Sequence, residues 1–208
     1  MTQETNLPKN TAVLKDVRIA YPNLVKPAPD LNGVDKYSCV LLIDKKSPSL
    51  ENIKAAIKAA IETGKQKKWN GIIPDGLHIP LQDGDHYAAQ APDKPREHYK
   101  GCYYINAKQD PEWGKPTVVD QYGLESTSPS TINSGDWVSV VVEFFPYKQP
   151  AGNGISATPK VVHKVSEGDP IGGGVSKHAA LAALGLDPEA AAGTAETDNG
   201  DDPLKDIL

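Results

Sequence analysis

Alternation of apolar and polar side chains dominates this chain, and only one long stretch carries helical spacing. "DWVSVVVEFFPY" is the clearest strand. Val138, Val140, Val142 and Phe144 fall on one side, and Trp137, Ser139, Val141, Glu143, Phe145 and Tyr147 on the other. In "HYKGCYYINAK" the side with Gly101, Tyr103, Ile105 and Ala107 reads as core. The opposite side carries Lys100, Cys102, Tyr104, Asn106 and Lys108. "TAVLKDVRIAY" sets Val17, Ile19 and Tyr21 at period two, "KYSCVLLID" reads as a strand over 36–44, and "TVVDQ" and "ISATPKVVHKV" add two more.

The helix is expected to open at Ser47 as cap, with Pro48 in its first position. Leu50, Ile53, Ile57, Ala60 and Ile61 then share a face, and Gly64 reads as the stop. "PNLVKPAPDLNGVD" and the proline-bearing residues 70–97 read as loops, "KQPAGNG" as a hairpin turn around Asn153-Gly154, and "SKHAALAALGL" as a short helix. Strands and helices do not alternate, which argues against a doubly wound α/β fold. The order predicts a mainly β architecture: a small five-stranded barrel of the oligonucleotide-binding (OB) type with one amphipathic helix, long loops and a disordered acidic tail. Its expected divisions are a flexible N-terminus over 1–10, a domain over 11–186 and the tail over 187–208.

Charge sharpens this picture. The net charge is -5, yet residues 187–208 alone hold seven acids against one base, so residues 1–186 carry +1. Such segregation suggests a body with a polyanionic partner and a tail with a separate role; the bland alternative is a solubilising tail. No apolar run approaches the ~20 residues that span a bilayer, and no membrane association is expected. The N-terminus lacks the basic and apolar regions of a secretion signal. Cys39 and Cys102 lack zinc spacing and read as reduced thiols of a cytosolic protein.

Catalytic patterns are weak. The histidines His78, His86, His98, His163 and His178 form no close metal-spaced pair, and Gly172–Gly174 lacks the Gly-Lys-Ser/Thr of a phosphate loop. Asp110, Glu112 and Lys115 only loosely mimic a nuclease cluster. No enzyme, metal or cofactor is expected. Binding signals are stronger, because single strands are held by cations along a groove and by rings on which bases stack. Arg18, Lys36, Lys100 and Lys108 would neutralise phosphates. Tyr104, Trp113 and Tyr147 would stack on bases.

These segments, in their order, resemble the OB-fold single-stranded DNA-binding proteins of tailed bacteriophages, a family long catalogued as a domain of unknown function. The resemblance covers roughly residues 11–175. It rests on "YPNLVKP", "DKYSCVLLIDK", "YKGCYYINAK", "KPTVVDQ", "SGDWVSVVVEFFPY" and "GNGISATPKVVHKVSEGDPIGGG". It implies sequence-independent binding of single-stranded DNA during phage replication and recombination, in the cytoplasm of an infected or prophage-carrying host. It also implies a tail that recruits replication or recombination proteins, here through Asp198, Asp201, Asp202, Asp206, Ile207 and Leu208. That tail lacks the terminal aromatic residue often found on such proteins. A phage assembly protein with a protein-binding β-domain, or a metal-dependent nuclease, are the alternatives.

Overall fold

The structure, a computed structural model, describes residues 7–91, 96–172 and 177–185. The expected acidic tail, with Asp198, Asp201, Asp202, Asp206, Ile207 and Leu208, lies outside the described residues. The chain divides into two units, one ending at Gly173 and one beginning at Gly174. The first holds β1 (Thr11–Pro29), β2 (Asp35–Asp44), α1 (Ser49–Lys67), β3 (Leu81–Asp83), α2 (Gly84–Ala89), β4 (Cys102–Gln109), β5 (Thr117–Val119), β6 (Trp137–Gln149) and β7 (Gly152–Ser166). Two 3-10 turns, Glu97–Tyr99 and Pro111–Trp113, flank β4. The second unit contains α3 (Lys177–Ala183). No described helix is long and apolar enough to cross a membrane.

The strands close into the expected five-stranded barrel. Antiparallel pairing runs β4-β2-β1-β6-β7, and a parallel contact between Ala107 and Ala157 returns β7 to β4. At that seam the Thr158 hydroxyl donates to the Lys108 carbonyl over 3.2 Å. β3 occupies the other half of the same β4 edge, and β5 runs along β7. The alternating valines of β6 behave as read: Val138, Val140, Val142 and Phe144 are buried with Leu14, Ile19, Leu41, Ile43, Ile105 and Ile155. Helix α1 adds Leu50, Ile53, Ile57 and Ala60 to this core, where a fully buried isoleucine contributes about 1.5–3 kcal/mol.

Several boundaries differ from the expectations. β1 continues to Pro29 through the stretch read as a loop, because irregular pairing with β2 lets prolines sit where no ladder hydrogen bond is required. Tyr21 lies at one of these irregularities with φ of 51°, which turns its ring out of the core. Helix α1 runs past Gly64 to Lys67. Gly64 is there for contact, since a Cβ would lie 2.5 Å from the Trp69 ring and 2.7 Å from Pro146. The helix starts one residue later than expected, at Ser49 with Pro48 as its N-cap, and the Ser47 hydroxyl accepts from the Ser49 N–H at 3.3 Å just ahead of it. Gly154 is likewise a contact glycine, with a Cβ position 2.6 Å from the Tyr147 hydroxyl and 2.8 Å from His78. The hairpin turn falls three residues earlier, at Pro150-Ala151, because Gln149 already pairs with Gly152.

The segment 70–97 contains more structure than a loop. β3 pairs along the edge of β4, and α2 packs over the outer face of β2 and β4, with Asp83 capping α2 by accepting from the N–H groups of Asp85 and His86. Lys45 clasps this cover, lying 2.7 Å from both Asp83 and Asp85.

Candidate nucleic-acid interface

Four of the seven expected contact residues converge on one groove. Lys36 opens β2, Lys108 lies near the end of β4, Trp113 stands on the following 3-10 turn and Tyr147 sits near the end of β6. Together with His78, Gln82, Asn106 and Gln109 they line a groove of about 520 Å³. It lies beside the barrel seam, between the start of β2 and the β6–β7 hairpin. OB barrels bind oligonucleotides on the equivalent strand face and loops.

Local chemistry places each group. Gln109 is buried, and its amide donates to the carbonyls of Trp113 at 3.2 Å and Gly114 at 2.8 Å, tying the turn to the barrel. The Trp113 ring remains 68% exposed. Tyr147 is half-buried against Gly154. Lys36 is ion-paired with Asp110, and Lys108 lies 3.7 Å from Asp30. The Asp30 carboxyl is held below the usual carboxylate range, first by the N–H groups of Asn32 and Val34 and then by the charges of Lys108 and Lys36.

Arg18 and Lys100 lie elsewhere, in a second cleft of about 290 Å³ with Asp16, Asp44, Glu97, His98 and Trp137. The Arg18 guanidinium donates to the carbonyls of Gly135 and Asp169 and lies 5.7 Å from the Trp137 ring centroid. Lys100 pairs with Glu97 at 2.7 Å. Tyr21, 46% exposed, meets His98 here, with its hydroxyl 3.2 Å from Nε2. Burial, and then the Arg18 charge, lower the His98 pKa. The seven residues therefore do not form the single continuous face that alternation predicted.

Tyr104 is the clearest correction. Its side chain does leave the barrel on the outer face, but α2 and the Glu97–Tyr99 turn cover it, leaving 5% exposed. Tyr87 and Tyr99 pack against its ring at 5.2 and 5.1 Å between centroids, and Leu42, Ala20 and Ala88 complete the cluster. Its hydroxyl donates to Gln82 Oε1 over 3.2 Å. Burial raises its pKa, with a further contribution from Tyr87. No ring face is free for a base.

Trp137 was visible as an outward ring, but nothing in the alternation linked it to Arg18. Tyr21 reads only as part of the period-two pattern with Val17 and Ile19, and the left-handed backbone that turns it outward leaves no sequence signature. Among the described residues, no three His, Cys, Asp or Glu side chains are grouped to hold a metal ion. Asp110 of the nuclease-like trio is engaged by Lys36 instead.

Comparison with known proteins bears directly on this barrel. The sequence model for the single-stranded DNA-binding protein of Enterobacter phage Enc34 matches residues 10–190. The chain belongs to this family. Among solved structures, the Enc34 single-stranded DNA-binding protein in complex with ssDNA superposes with a TM-score of 0.65 at 26% identity. The match covers 81% of this chain and 97% of that one. A C-terminal truncation of the Enc34 protein gives 0.62 at 26%, covering 80% and 96%. The gp2.5 single-stranded DNA-binding protein of bacteriophage T7 gives 0.52 at 21%, covering 79% and 88%, a likeness of fold alone. No curated protein matches the chain.

Proposed function

We propose that this protein binds single-stranded DNA without sequence preference, through the groove of Lys36, Lys108, Trp113 and Tyr147, during phage DNA replication and recombination in the host cytoplasm. One observation carries the reading: a barrel of a phage single-stranded DNA-binding family brings two ammonium groups and two accessible rings into one groove. The lysines neutralise phosphates and the rings offer stacking faces that every base can use, so affinity arises without reading base edges. Arg18 and Lys100 offer two further cations to phosphates in the separate second cleft. The protein acts as a binding module with no catalytic step or cofactor of its own. The acidic tail recruits replication or recombination proteins through Asp198, Asp201, Asp202, Asp206, Ile207 and Leu208, and competes with DNA for the groove.

Titration with a fluorescent oligothymidine and its duplex counterpart, with and without magnesium, tests this. Tight, magnesium-independent binding of the single strand is expected. Neutralising four phosphates gives a slope of about -3 for log K against log salt. Equal affinity for duplex, or magnesium-dependent cleavage, would refute it. Removing residues 187–208 should tighten binding at low salt if the tail competes for the groove; unchanged affinity would remove that role.

A further inference from the structure

Three of the four cations expected at phosphates already hold a carboxylate, and the fourth holds two carbonyls. Lys36 is paired with Asp110, Lys108 with Asp30 and Lys100 with Glu97, while Arg18 is engaged by Gly135 and Asp169. The Lys100–Glu97 pair is exposed, three residues apart, and of the kind that contributes little. The two pairs at the groove are different. Each joins residues more than seventy positions apart and has one shielded partner: Asp30 is 14% exposed against 47% for Lys108, and Lys36 20% against 40% for Asp110.

Both acids are set in place by the backbone. Asp30 uses Oδ1 to accept from the N–H groups of Asn32 at 2.9 Å and Val34 at 3.2 Å, closing the β1–β2 turn. Its other oxygen faces Lys108. Asp110 follows β4 and opens the Pro111–Trp113 turn, where its carbonyl accepts from the Trp113 N–H at 3.0 Å while its carboxylate holds Lys36. The residue that anchors the exposed tryptophan's turn thus also occupies the lysine beside it.

We propose that Asp110, in the groove wall, and Asp30, beside it at Lys108, are resident competitors of DNA phosphate that hold the groove's lysines in place and keep affinity below its maximum. The inference rests on the reading of this groove as the single-strand site. A phosphate arriving at Lys36 or Lys108 meets an ammonium that is already partly satisfied and a carboxylate of its own sign close by. The carboxylates therefore weaken the complex while sparing the lysines the entropy of being ordered on binding. A protein that must be stripped from DNA by a following polymerase or annealing partner gains from that restraint.

The test is charge removal without change of shape. Asp30→Asn keeps an acceptor for the turn N–H groups, and Asp110→Asn keeps its backbone contact to Trp113. Binding of a fluorescent oligothymidine is measured at low and high salt, alongside thermal unfolding. Each variant should bind about threefold more tightly at low salt, the factor expected from one unit charge about 6 Å from a phosphate in a water-like dielectric. The double variant should reach about tenfold, and the gains should shrink as salt screens them. Glu51→Gln, which removes a similar charge from the surface pair with Lys54 on α1, should leave affinity unchanged. In a Lys36→Gln background, the gain from Asp110→Asn should largely vanish. Folded variants that bind as weakly as wild type or more weakly would overturn the proposal, as would an equal gain from Glu51→Gln. If wild type itself shows no single-strand affinity, the groove assignment fails instead.

Discussion

Replacing Trp113 by alanine should separate binding from stability. Trp113 is 68% exposed, and it holds its turn through its own main chain: its N–H donates to the Asp110 carbonyl and its carbonyl accepts from the Gln109 side-chain amide. None of these contacts uses the indole, so Trp113→Ala should leave the thermal midpoint nearly unchanged. Stacking of one base on an aromatic side chain contributes about 1–3 kcal/mol. The variant should therefore bind a single strand roughly 5- to 150-fold more weakly, at about 1.4 kcal/mol per factor of ten. The loss should be similar for thymine and adenine tracts, because each base presents a ring face. It should also persist at higher salt, where the lysine contribution fades. Fluorescence anisotropy with labelled oligonucleotides at two salt concentrations, paired with a melting curve, reads all of these. A loss below about twofold with an unaltered melt would mean that the most exposed ring of the groove does not stack, and would refute the assignment.

Tyr104→Ala should do the reverse, destabilising the fold by about 3–5 kcal/mol as its cluster with Tyr87 and Tyr99 collapses; denaturant unfolding that shows less than about 1 kcal/mol would contradict its burial. Lys164 and Asp136 form a buried ion pair 3.0 Å apart, so Lys164→Met, which strands the carboxylate, should cost about 3–5 kcal/mol in the same assay. His98 has a folded-state pKa below its unfolded value, so its contribution to stability is full above about pH 6.5 and is lost as pH falls through the lowered folded value. His98→Asn should therefore show a smaller fall in melting temperature between neutral and acidic pH than wild type, and an identical fall would remove His98 from the acid response.

Strand identities were legible because period-two alternation maps directly onto barrel-in and barrel-out positions, as Val138 through Phe144 illustrate. The length of β1 was hidden by Pro22, Pro27 and Pro29, whose usual meaning is reversed where pairing is already irregular. Gly64 and Gly154 were read for conformation when their role is proximity, a distinction that depends on Trp69, Pro146, Tyr147 and His78 arriving from elsewhere. The covering of Tyr104 was illegible for a related reason. Its cover is made from Tyr87, Ala88 and Tyr99, which stand in a segment too poor in aliphatic side chains to announce a packed element. Of the candidate site, the residue types were legible and their partition into two clefts was not. Alternation assigns a face, whereas α2 and the Glu97–Tyr99 turn divide it. The pairing of Lys36 with Asp110 and Lys108 with Asp30 spans more than seventy residues in each case, beyond any local pattern.

Photocrosslinking tests the central claim most directly. An oligothymidine carrying 5-iodouracil, bound under limiting protein and irradiated, marks the aromatic side chains in contact with bases, and mass spectrometry of the digested adduct names them. Crosslinks should fall on Trp113 and Tyr147, with none on Tyr104. Adducts confined to Tyr122, whose exposed ring lies outside the groove lining, or to Tyr104 beneath its cover, would contradict the account.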